Sequence, residues 1–103
     1  MAVLANITAV AVAGRVLLIE GPPGSGKSAL ALALIDRGAT LVGDDAVSVV
    51  RHRDTLHAAP PPNTCGMIEI RNVGIAELPV TEGPVALLLT LDPAAPRFPM
   101  DIP

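Results

Sequence analysis

The chain has 103 residues, the size of a single small domain, and half of them are apolar, enough to build a core. A net charge of −3, a single phenylalanine (Phe98) and no tryptophan or tyrosine argue against a nucleic-acid-binding surface, which needs basic clusters or aromatic platforms. One cysteine, Cys65, excludes an intrachain disulfide, and no apolar run reaches the length of a membrane span. The N-terminus lacks the positive region of a signal peptide. Together these features predict a cytoplasmic protein with no membrane or nucleic-acid partner.

Residues 7–13 are apolar and partly β-branched, and Ala13-Gly14-Arg15 suits a tight turn, so a hairpin leads into a second strand over 15–20. That strand opens onto Gly21-Pro22-Pro23-Gly24-Ser25-Gly26-Lys27-Ser28, which fits G-x-x-x-x-G-K-[ST], the phosphate-binding P-loop. Such a loop wraps a triphosphate in backbone N–H groups, and the helix after it aims its free N–H groups at the same phosphates. Pro22 and Pro23 remove donors only before the turn, leaving those of Gly24, Ser25, Gly26, Lys27 and Ser28. Lys27, the only lysine of the chain, is placed to reach the β- and γ-phosphates, and the Ser28 hydroxyl to ligate Mg²⁺.

Strong helix formers fill 28–37, and Gly38 ends that helix. A second core strand over 39–42 runs into Gly43-Asp44-Asp45. Residues 46–51 and 54–58 read as a hairpin turning at Arg53-Asp54, and Pro60-Pro61-Pro62-Asn63 as a loop. The alternation in 67–71 sets Glu69 and Arg71 on one face of a half-buried strand, and 84–92 reads as a buried strand. The proline-rich tail 93–103 is expected to fray or to order on contact. The sum is an α/β fold of P-loop kinase-like type over residues 1–103, with a mixed, strand-rich sheet and one main helix.

A P-loop site needs a carboxylate for its metal and often another to orient or deprotonate the nucleophile. Asp44 with Asp45, Glu69 and Asp92 are the candidates. If strand 39–42 runs parallel to the P-loop strand, Asp44 and Asp45 lie beside the phosphates. On an extended backbone only one of them faces the metal, unless the chain turns there. The plainer readings are a solvated Gly-Asp-Asp turn, an Asp92 that ends a strand before Pro93, and a Glu69 paired with Arg71. His52 and His57 read as solvated side chains of a hairpin, and Cys65 as a small half-buried residue.

In order along the chain, 16–21, Ala31 to the Arg37-Gly38 pair, Leu41-Val42-Gly43-Asp44-Asp45, Ala58-Ala59-Pro60-Pro61 and Ile68-Glu69-Ile70-Arg71-Asn72-Val73-Gly74-Ile75 resemble the catalytic domain of bacterial HPr kinase/phosphorylase. The resemblance implies ATP-dependent phosphorylation of a serine of an HPr-like phosphocarrier of the phosphotransferase system, in many members reversible, by a homo-oligomer. It implies that Lys27 grips the transferring phosphate, that Ser28 and Glu69 serve the metal, and that Asp44 and Asp45 supply a metal ligand and the general base, Asp45 being the expected base. Where the family has a histidine ahead of the P-loop strand, this chain has Asn6; Asn72 stands for a glycine. The family's downstream active-site arginine and its C-terminal segment fall beyond Pro103. The competing reading is a non-catalytic ATP-binding regulatory module. A small-molecule kinase needs a lid and a substrate domain, for which 103 residues leave little room.

Overall fold

A computed structural model describes residues 2–61, 67–70 and 73–92. Among the described residues are nine strands and one helix: β1 (Ala2–Ala5), β2 (Ile7–Val12), β3 (Arg15–Glu20), α1 (Lys27–Asp36), β4 (Thr40–Gly43), β5 (Ala46–His52), β6 (Thr55–Ala59), β7 (Met67–Ile70), β8 (Gly74–Glu77) and β9 (Gly83–Thr90). Seven strands pair in the order β1-β5-β6-β9-β3-β2-β4, and β7 and β8 form a separate hairpin. The strand-rich mixed sheet with one helix is the expected architecture.

The local turns follow from residues that accept left-handed backbone. Ala13 and Gly14 carry φ of 53° and 80°, the sign a type I′ turn requires, and they close β2 onto β3. Arg53, at φ 58°, turns β5 onto β6, and the Arg51 side chain donates to its carbonyl at 3.2 Å. Gly38, at φ 108°, ends α1 with the paired bonds of a Schellman motif: its N–H reaches the Ile35 carbonyl and the Ala39 N–H reaches that of Leu34, both at 3.0 Å.

Two left-handed residues bend the sheet over on itself. β1 runs into β2 through Asn6 (φ 63°), and β4 runs into β5 through Asp44-Asp45, with Asp45 at φ 67°. The bends face each other, because β1 pairs with β5 while β2 pairs with β4, and the Asn6 N–H donates to the Asp45 carbonyl at 2.8 Å. The folded sheet encloses an inner core of Ile7, Ala9, Ala11, Val16, Leu18, Val42, Val47, Val49 and Ala58. Small alanines let the layers close without aromatics. The alternate residues Val10, Ile19 and Leu41 face outward and pack with Ala31 of α1 and Ile68 of β7. α1 therefore lies against the outer face of β2-β3-β4, with the β7–β8 hairpin beside it.

Three features depart from the sequence reading. β1 and β8 were not anticipated, since neither has a distinctive run; pairing with β5 and with β7 makes them strands. β9 is not buried, and Leu87 and Leu88 are 59% and 52% exposed. One edge of β9 pairs with β3 from Val85 to Thr90, but the other meets β6 only at Gly83 and Pro84. The continuous apolar run read as burial on both faces, which the described part of the fold does not supply. Cys65, Arg71, Asn72 and the tail lie outside the described residues, and so does the proposed Glu69–Arg71 pairing.

Candidate active site

β3 and β9 are parallel, and β4 runs in the same direction because β2 lies antiparallel between it and β3. The expected orientation of the aspartate strand thus holds, with one strand interposed. The C-terminal ends of β3, β4 and β9 bring Gly21, Asp44 and Asp92 to one end of the sheet, where open α/β sheets place their ligands.

Glycine is required within the loop for two different reasons. Gly24 and Gly26 have φ of 81° and 99°, which side chains rarely adopt. Gly21 is ordinary in φ but crowded: a Cβ there would stand 2.6 Å from Ser25 Oγ and 2.8 Å from the Leu91 carbonyl. The Lys27 side chain is buried and its Nζ donates to the Gly21 carbonyl at 2.7 Å, so the ammonium spans the loop it belongs to. Gly21→Ala must move this backbone, a strain of about 2 kcal/mol. The expected result is a roughly 30-fold loss of nucleotide affinity, read by titration with a fluorescent ADP analogue.

The carboxylates divide by environment. Asp44 is half-buried, and its Oδ1 accepts the Ser28 hydroxyl at 2.7 Å and the Thr8 hydroxyl at 3.0 Å. Asp45 is exposed; its N–H donates to Thr8 Oγ1 at 3.4 Å. The chain does turn at the pair, so the two side chains are freed from simple strand alternation. Sequence reasoning missed Thr8. A lone threonine in an apolar strand carries no motif, and only the fold brings it to residues 36 and 37 positions away.

Glu69 belongs to β7 by its backbone, and its side chain is not among those described. Asp92 lines an open cleft of about 430 Å³ beside the loop, with Asn6, Ile7, Glu20, Gly21 and Pro22. At its edge Thr90 donates to Glu20 Oε2 at 2.6 Å. His52 is exposed and His57 faces Glu82 at 3.5 Å on the surface, as a solvated hairpin predicts.

The donor set fits a magnesium-bound nucleotide on three counts. Ser28 Oγ and Asp44 Oδ1 are hard oxygens in contact with each other. Ser25 Oγ is buried within the loop and has no hydrogen-bond partner among the described residues. Gly24 and Gly26 have open space where a Cβ would stand. Among the described residues no cluster of three or more His, Cys, Asp or Glu side chains could hold a metal.

The family model described as HPr Serine kinase C-terminal domain matches residues 3–86. The chain belongs to this family. It is 45% identical over 67 residues to the HPr kinase/phosphorylase of Clostridium novyi (strain NT), a match covering 65% of this chain and 22% of that protein. Against the HPr kinase/phosphorylase of Clostridium acetobutylicum it is 44% identical over 70 residues, covering 68% and 23%. The fold matches the structure of the HPr(Ser) kinase/phosphatase from Coxiella burnetii with a TM-score of 0.80 and 29% identity, over 100% of this chain and 67% of that one. The chain thus spans less than a quarter of the length of these curated relatives. No described helix is long and apolar enough to cross a membrane.

Proposed function

We propose that this chain is the P-loop kinase-like domain of an ATP-dependent protein-serine kinase, and that its acceptor is a serine of an HPr-like phosphocarrier. The observation that carries the reading is the Ser28–Asp44 contact directly behind the loop, at 2.7 Å. It joins a helix-start hydroxyl and a strand-end carboxylate, the pair that holds Mg²⁺ in P-loop phosphotransferases. Family membership supplies the acceptor class.

In this reading the backbone N–H groups of Gly24, Gly26, Lys27 and Ser28 bind the phosphates, the Ser25 N–H being taken by the Pro22 carbonyl at 3.0 Å, and Lys27 turns its ammonium from the Gly21 carbonyl toward the γ-phosphate. Ser28, Asp44 and Glu69 would hold Mg²⁺, and the ion would supply neutralisation of charge on the phosphate oxygens. The acceptor serine enters by the cleft walled by Asn6, Glu20 and Asp92. Its oxygen bonds to the γ-phosphorus as the bond to the β-phosphate oxygen breaks, and its proton passes to the Asp45 carboxylate. Asp45 suits that role because it is exposed, while Asp44 Oδ1 is already engaged by two hydroxyls.

The test is transfer of labelled γ-phosphate from ATP with Mg²⁺ to an HPr-like protein and to the same protein with its acceptor serine changed to alanine. Serine-dependent labelling is expected. Tight Mg²⁺-dependent nucleotide binding without transfer would overturn the kinase reading and leave a regulatory module, the outcome that Asn6 in place of the family's histidine would then explain.

A further inference from the structure

Thr8 is fully buried in β2, in the run Ile7-Thr8-Ala9-Val10. Nothing in the packing asks for a hydroxyl there, since its strand neighbours Ile7, Ala9 and Val10 all belong to the apolar cores. Valine has the same shape and suits a strand equally well. A buried hydroxyl costs stability unless it is satisfied. The Thr8 hydroxyl is satisfied by the aspartate pair, donating to Asp44 Oδ1 at 3.0 Å and accepting the Asp45 N–H at 3.4 Å.

One oxygen therefore does two things. Its hydrogen fixes the carboxylate oxygen that also receives Ser28, and its lone pair fixes the backbone of the left-handed residue next to it. The second bond lies on the bend that Asn6 secures from the other side, through its N–H to the Asp45 carbonyl at 2.8 Å. Asp45 is thus held at both backbone polar groups from the β1–β2 segment, by the Asn6 bend and by Thr8 of β2, while its side chain stays open to solvent.

We propose that Thr8 is a positioning residue for the active site, aligning Asp44 toward the metal and locking the bend that presents Asp45. The role of the metal rests on the phosphotransferase reading above; the lock on the bend does not. Groups that orient a metal ligand commonly change metal affinity by 10- to 100-fold when removed.

Thr8→Val, with Thr8→Ser as the conservative control, tests this in the full chain by two measurements. The first is hydrogen exchange at the Asp45 amide in the absence of nucleotide. The second is the Mg²⁺ concentration for half-maximal binding of a fluorescent ADP analogue. In T8V the amide is expected to exchange about tenfold faster, and the Mg²⁺ midpoint to rise about tenfold, with metal-free nucleotide affinity unchanged. T8S is expected to restore both. Should T8V not fold, Thr8→Ala gives the same readouts at the same residue. A lowered melting temperature with an unmoved Mg²⁺ midpoint and an unmoved amide means an ordinary core residue and overturns the proposal. If the unaltered chain binds no nucleotide, the phosphotransferase reading falls, and Asp45 exchange still decides whether Thr8 locks the bend.

Discussion

Replacing Asp45 with asparagine is expected to slow serine phosphorylation by about 10³, inside the range for loss of a positioned general base. The change is nearly isosteric, and asparagine tolerates the left-handed backbone, φ 67°, that the bend demands. Both backbone bonds of the residue, to Thr8 Oγ1 and from the Asn6 N–H, survive the substitution. Nucleotide affinity is therefore expected to stay within about twofold, so the loss is confined to chemistry. Single-turnover transfer with saturating ATP and Mg²⁺, set beside a nucleotide titration, checks both halves. Asp44→Asn provides the contrast. It alters the oxygen that meets Ser28, so its effect appears first as a raised Mg²⁺ requirement. If Asp45→Asn keeps more than a tenth of the rate while Asp44→Asn loses a thousandfold, the roles of the two carboxylates are exchanged.

The second large effect is expected at Lys27. Lys27→Ala removes the only ammonium group of the chain's lysine side chains and, with it, the bond to the Gly21 carbonyl. Loss of one preorganised donor aimed at developing charge costs about 10² to 10³ in rate. Here the loop also loses its internal tie, so nucleotide affinity is expected to fall together with the rate. The fold is expected to survive, because the core of β2, β3 and β4 lies beneath the loop and does not include Lys27. A drop of roughly 10 °C in melting temperature corresponds to one charge-assisted hydrogen bond in a domain of this size. Arginine is not expected to rescue, since its planar fork cannot reproduce a compact ammonium in a buried position. Circular dichroism melting alongside the transfer assay separates the two contributions; a large loss of stability with transfer intact would make Lys27 a structural residue.

The parts of this site that were legible in the sequence are those whose chemistry constrains neighbouring positions. The loop declares itself because Gly24 and Gly26 need left-handed backbone and Gly21 has no room for a side chain. The hairpins at Ala13-Gly14 and Arg53-Asp54 and the Gly38 helix end are local events, set by a few adjacent residues. What the sequence hid is what distant segments decide between them. The insertion of β2 between β3 and β4 leaves no local trace. Thr8 gained its meaning only when β2 met the aspartate bend. β9 has the apolar run of a buried strand, yet its exposure depends on what pairs with its second edge. The division between Asp44 and Asp45 needed the bend as well, because two adjacent residues in a straight strand would have pointed to opposite faces.

β9 also bears on the order in which the domain is assembled. Its end supports the start of the loop: the Leu91 N–H donates to the Glu20 carbonyl at 2.8 Å, and the Leu91 carbonyl closes the space beside Gly21. The hairpin of β2 and β3, α1 and the aspartate bend emerge from the ribosome well before β9, and they can collapse through contacts nearby in sequence. The parallel pairing of β3 with β9 must instead close a long loop of chain, which is the slow kind of step in folding. Until that pairing forms, the edge of β3 stays open and Gly21 lacks its neighbour. The loop is thus encoded ahead of the strand that finishes it, and on the reading proposed above nucleotide capture during synthesis would mark a fold whose last described strand has docked.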